Sequence, residues 1–138
     1  MQKEKLLKKS ITQLHKILWE LCKQIVRAKY PPVCYTCGKY LQYPKDQHTA
    51  HGKPKSALSL KYRYDLRNLR ICCYNCNVNL GGATDIFITK LEKEKEGLEF
   101  LKEACVKTKE GWKIKGTTIK EDSKMFLINK IEEYYDKK

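Results

Sequence analysis

Four cysteines carry the most specific chemistry in the chain. Cys34-Tyr-Thr-Cys37 is followed directly by Gly38, and Cys73-Tyr-Asn-Cys76 repeats the two-residue gap. A gap of two lets both thiolates of a pair reach one ion, and a glycine after the pair allows the tight turn this needs. Two such pairs make a four-thiolate site, which suits Zn2+ in a closed, structural role. Cys72 lies beside the second pair, with three residues between it and Cys76. That spacing is a poorer match, though usable, so Cys72 is the ambiguous thiol. Cys22 and Cys105 fall on helical apolar stripes and read as core residues.

Thirty-five residues separate Cys37 from Cys73, too many for a simple zinc ribbon of ~15–20. The insertion holds His48-Thr-Ala-His51 and then LKYRYDLRNLRICC. The second piece alternates polar and apolar residues around Asp65–Asn68, which predicts a hairpin with its turn there. A hairpin followed by a helix starting near Cys76 would be a ββα unit clamped by zinc. Lys53, Lys55, Lys61, Arg63, Arg67 and Arg70 are interleaved with Tyr62 and Tyr64 through this region. They could neutralise phosphates of a nucleic acid.

The flanking stretches must position this centre. Over residues 3 to 29, Leu7, Ile11, Leu14, Leu18, Leu21 and Ile25 recur at helical spacing, while Lys9, Lys16, Lys23 and Arg27 form a basic face. Pro31-Pro32 ends that helix. Helical pattern returns from Thr84 to Lys107 with an expected break at Gly97, then a turn over Gly111–Gly116. Thr118-Ile-Lys-Glu121 looks like a capping box for a last helix through Phe126, Leu127, Ile131, Tyr134 and Tyr135. The expected fold is α+β and mainly helical, one domain over residues 1–138. It has a basic amphipathic helix at 1–30, a zinc-bound core at 31–96 and a helical extension at 97–138. His15 belongs to neither motif and reads as structural.

Bulk properties limit the function classes. Net charge is +13 over 138 residues, with a pI near 9.4. Such an excess favours a polyanionic partner and argues against a neutral protein-interaction scaffold. No stretch approaches the ~18 apolar residues of a membrane span, and no signal segment opens the chain. A cytoplasmic setting is expected, where seven cysteines stay reduced and are better explained by metal than by disulfides.

In order, the pieces CxxCG, HTAHG, RYDLRNLRICCYNCN and the glycines after them resemble the phage recombination endonuclease family NinG/Rap. More distantly they resemble recombination endonuclease VII and the HNH (His-Me finger) nucleases. The resemblance covers roughly residues 14 to 110. It implies a metal-dependent DNA endonuclease acting on branched recombination intermediates such as Holliday junctions, in the host cytoplasm if phage-encoded. It implies His51 as general base and Asn68 as the residue bracing its loop. It also implies His48 and Asn77 as ligands of a catalytic Mg2+ or Mn2+. Relatives often carry Asp at the position of His48, so an imidazole here shifts preference toward softer ions than Mg2+. Symmetric incision of a four-way junction needs two active sites, which implies a homodimer held by the terminal helices. The alternative is a non-catalytic zinc-stabilised module that binds nucleic acid. Its charge would be the same; His48, His51 and Asn77 together argue against it.

Overall fold

The computed structural model describes residues 2–81, 84–115 and 123–138. The expected N-terminal helix is two helices, α1 (Lys3–Leu7) and α2 (Ile11–Lys29). Ser10 divides them. Its hydroxyl accepts from Gln13 N at 3.2 Å, and Gln13 Oε1 accepts from Ser10 N at 2.8 Å, so both orphan donors of the new helix start are met. α2 buries Leu14, Leu18, Leu21, Cys22, Ile25 and Val26 on one stripe. It packs most extensively on α6 (Ser123–Tyr135), which answers with Leu127, Ile128, Ile131 and Tyr134. Leu7 and Ile11, counted in the apolar stripe, are exposed. α2 ends at Tyr30, whose extended backbone is what a following proline demands.

The chain then makes a knuckle. Val33 bridges Tyr40, Cys34 N donates to Lys39 O at 2.8 Å, and Gly38 N donates to Cys34 O at 2.9 Å. Gly38 sits at φ +80, where a Cβ would be strained. Strand β1 (His48–His51) pairs antiparallel with β2 (Leu69–Cys72) in the register His48↔Cys72 and His51↔Leu69. The hairpin expected within residues 60–73 is therefore not local. Leu60–Arg63 is a short helix, α3, and Leu66–Asn68 a 3-10 turn. Asp65 Oδ1 accepts from Arg67 N at 3.0 Å and seeds that turn, which competes with strand pairing.

After β2 the chain winds through a π-helical turn at Asn75–Asn79 into α4 (Thr84–Glu92), and α5 (Lys95–Ala104) follows. The break falls at Lys93–Glu94, not at Gly97. Gly97 lies inside α5, where a Cβ would come 2.3 Å from Leu91 O. Glycine is there for close helix approach, not to stop a helix. Helix also ends before Lys107: β3 (Cys105–Thr108) and β4 (Gly111–Ile114) form a second antiparallel hairpin. The expected turn at Gly111–Gly116 is thus displaced to Lys109–Glu110, stabilised where Thr108 Oγ1 donates to Gly111 O at 2.9 Å. Thr118–Glu121 lies outside the described residues. The fold is α+β and predominantly helical with two small sheets, and its buried side chains form one contiguous core. Among the described residues no helix is long and apolar enough to cross a membrane.

Candidate metal centre and basic cleft

The knuckle and the turn after β2 bring four thiols together. The sulfurs of Cys34, Cys37, Cys73 and Cys76 all lie within 4.8 Å of one another. Tetrahedral Zn–S bonds of ~2.3 Å place sulfurs about 3.8 Å apart, and Cys37 Sγ lies 3.8 Å from Cys73 Sγ. The donor set and spacing fit an ion such as Zn2+. Two local features hold the geometry: Tyr35 N donates to Ile71 O at 2.8 Å, tying knuckle to β2, and Asn77 N donates to Cys73 O at 3.0 Å. Cys72 is outside the cluster. It is fully buried on β2, and burial pushes its thiol up to about 12, so it stays a neutral core group. Cys22 and Cys105 are buried as expected.

The same turn delivers Asn77 into a cleft of ≈ 480 Å³ that His48 also lines. Trp19, Lys23, Arg27 and Lys45 complete much of its wall. Trp19, Lys23 and Arg27 are spaced four apart on α2, so a single helix face presents one aromatic and two cations. That periodicity was available in the sequence. Lys23 and Arg27 stand on its basic face, but Trp19 and Lys45 were not singled out. Arg27 Nε is buried with no hydrogen-bond partner among the described residues. Neither Asp46 nor Asp85, the two carboxylates considered as extra ligands, lines this cleft.

His51 closes β1. Its ring stacks on Trp19 with centroids 5.2 Å apart and planes 10° from parallel. Its Nε2 lies 2.9 Å from the Arg63 carbonyl oxygen. A carbonyl can only accept, so Nε2 carries the proton and Nδ1 holds the free lone pair. Desolvation lowers the His51 pKa below its ordinary value; the Arg63 hydrogen bond opposes this, and the charges of Lys55 and Arg63 add to it. His48 and His51, three apart on a strand, leave it on opposite sides. Trp19 connects them, since it touches His51 and lines the cleft of His48. Behind Trp19, Tyr64 packs on its ring and meets His15 Nδ1 at 2.5 Å.

Asn68 is wholly buried. Its Oδ1 accepts from Lys53 N at 2.9 Å and its Nδ2 donates to Lys53 O at 3.1 Å. Its own carbonyl accepts from Gly52 N at 2.9 Å. Three bonds thus fix the two residues after His51. Gly52 has no room for a Cβ, which would fall 2.8 Å from Asn68 Oδ1 and 2.9 Å from the Phe87 ring. Asn68 does not line the His48–Asn77 cleft, so its place is that of a positioning residue.

The six basic residues expected to contact phosphates divide. Arg70 is a correction. It is 1% exposed, with Nη1 donating to Leu69 O at 2.6 Å and Arg67 O at 3.1 Å, and Nη2 paired to Glu94 at 3.2 Å. Tyr30 and Tyr35 rings flank its guanidinium. It is a structural cation without a solvent face. Arg67 is held by Asp65 and Glu103 at 2.7 and 2.8 Å. Lys53 Nζ donates to Trp112 O. Arg63 is half-buried beside His51, and Lys55 and Lys61 are exposed.

No protein-family model, curated protein or solved structure matches the chain. The functional reading therefore rests on its own residues.

Proposed function

We propose that the chain is a metal-dependent DNA endonuclease that hydrolyses phosphodiester bonds, with branched recombination intermediates as its substrates. The ββα order of β1, β2 and α4, held by zinc on the four thiolates, would be its HNH-type core. One observation carries the reading: His51, its Nε2 proton held by Arg63 O and its Nδ1 unprotonated, stacks on Trp19, and Trp19 also lines the cleft that unites His48 and Asn77 with three cations. Nδ1 would take a proton from the attacking water, while Arg63 O keeps the ring in the correct tautomer. Lys23, Arg27 and Lys45 would hold the phosphates either side of the cut. Asn68 would keep the Gly52–Lys53 loop, and so His51, in place. His48 Nδ1 or Nε2 and Asn77 Oδ1 are the donors for a divalent ion, which when bound stabilises negative charge at the scissile phosphate and leaving oxygen. The terminal helices would join two copies for paired incision.

A second reading is favoured by the lack of a carboxylate in the cleft: a non-catalytic module that binds nucleic acid. Incubating zinc-loaded protein and its His51→Ala variant with four-way-junction DNA and Mn2+ separates the two. Cleavage by the parent and not by the variant is the expected result. Binding without cleavage by either protein would leave only the module.

A further inference from the structure

On the other side of the Tyr43–Gln47 turn lies a larger cleft, of ≈ 640 Å³. Three of its lining residues are tyrosines with unusual exposure: Tyr40 at 66%, Tyr43 at 54% and Tyr74 at 55%. The Tyr40 side chain makes no ring contact or hydrogen bond among the described residues. An exposed aromatic is ordinary on its own. Three around one concavity form an apolar surface rimmed by polar groups, and such surfaces mark binding sites.

The charges say what would bind. Within the tyrosine cleft Lys39 and Asp46 balance one another, and Cys37 and Cys73 of the metal cluster form part of its wall. The neighbouring cleft carries Lys23, Arg27 and Lys45. The first suits neutral, flat groups, and the second suits phosphates. Lys45 connects them, with Nζ 5.8 Å from the Tyr43 ring centroid while it lines the basic cleft. Tyr74 connects them again, since its ring meets His48 edge-on at 5.6 Å. Neutral planar groups attached to a chain of phosphates are the bases of an unpaired strand. Bases inside a duplex offer no free face to stack on.

We infer that Tyr40, Tyr43 and Tyr74 form a stacking platform for unpaired nucleotides of a DNA strand whose phosphates enter the His48–Asn77 cleft. This rests on the nuclease reading of that cleft and deepens it: the preferred substrate carries a single-stranded segment or a splayed junction arm next to the cut. Base–aromatic stacking is tolerant of sequence, so the platform selects for unpaired structure, not for a base order.

The test is binding, made without added divalent ion so that cleavage plays no part. Full-length zinc-loaded protein is titrated with a single-stranded oligonucleotide containing 2-aminopurine, and with a duplex of equal length. The parent should quench the probe on binding. Tyr40→Ala and Tyr74→Ala should each weaken single-strand affinity by about 5- to 150-fold, the range for loss of one base–aromatic stack. Tyr40→Phe and Tyr74→Phe should retain it, and duplex affinity should hold in all four. Absence of quenching by the parent overturns the platform without relying on any variant. So do alanine variants that bind single strands like the parent, or that lose single strand and duplex alike. The nuclease reading is judged separately, by junction cleavage in the parent against His51→Ala. A platform that fails leaves that result standing, and a platform that holds in an inactive protein leaves a single-strand-binding module.

Discussion

Asn68→Ala removes a side chain that does not line the His48–Asn77 cleft, and it should damage both stability and rate. Two hydrogen bonds disappear, at 2.9 and 3.1 Å, and both belong to Lys53 backbone. Each is worth about 1 kcal/mol net, and a group left buried without a partner costs about 1–3 kcal/mol. Lys53 is half-buried, so water can reach part of what is exposed, and the lower end of that range applies. Loss of a fully buried side chain adds a small cavity. The sum is about 2–4 kcal/mol of stability. The Gly52–Asn68 backbone bond survives, so the strands stay paired while the loop beyond His51 loosens. A shift near 1 Å in a catalytic group costs on the order of 10²-fold in rate. The assay is urea unfolding with zinc present, together with single-turnover junction cleavage at a temperature where the variant remains folded. Asn68→Asp should not rescue it, because an oxygen would then face Lys53 O. A variant within about 0.5 kcal/mol of the parent in stability, and equal to it in rate, would refute the claim that this side chain braces the loop.

Four further outcomes are expected. His51→Ala should lose cleavage by about 10²–10⁴-fold while binding DNA like the parent in a gel-shift titration. Because burial depresses the His51 pKa, the base stays neutral through ordinary pH, and cleavage should fall only as pH drops below 6.5; a rate–pH profile whose acid limb lies above that value contradicts the assignment. Elemental analysis should find one zinc per chain in the parent and in Cys72→Ser but none in Cys73→Ser, which should also unfold, since the metal's binding energy is folding energy. His48→Asp should move metal activation toward Mg2+ in a titration against Mn2+, the carboxylate being the harder ligand, and curves that superimpose would remove His48 from the ligands.

What was legible in the sequence is what short-range spacing controls. Two-residue gaps bring thiols to one point whatever surrounds them, and the four-cysteine cluster forms as read. The α2 stripe from Leu14 to Val26 follows from a 3.6-residue period. The errors came where tertiary packing outweighed local pattern. β2 finds its partner across residues 52–68, and no local alternation encodes that pairing. Gly97 reads as a helix breaker until Leu91 is placed against it. Cys105 continues an apolar helical stripe, yet Val106 and Thr108 are β-branched and follow the strand. Ser10 and Gln13 carry a capping signal, but the apolar stripe runs straight through it and hides the division between α1 and α2.

Arg70 shows why net charge alone could not locate the phosphate surface. In a chain of +13, an arginine among lysines and tyrosines reads as one more contact for a polyanion. Its position decides otherwise. On a strand buried along its whole length, a guanidinium must find acceptors inside the protein or leave the core, because unpaired burial of a charge is costly. Leu69 O, Arg67 O and Glu94 supply those acceptors, and two tyrosine rings supply the walls. The same Glu94 stands at the N-cap position of α5 and its carboxylate accepts from the Tyr35 hydroxyl of the cysteine knuckle. Arg70 therefore ties the knuckle, β2 and the α4–α5 junction at one point. The cations left as candidate contacts are the exposed Lys55 and Lys61 and the three that line the His48–Asn77 cleft, of which Lys23 is also paired with Glu20; Lys23 and Arg27 come from α2, outside the segment in which the motif residues cluster. Under the proposed reading, α2 would supply phosphate contacts from a helix remote in sequence, and the four-cysteine cluster would be the frame that holds Asn77 in the same cleft.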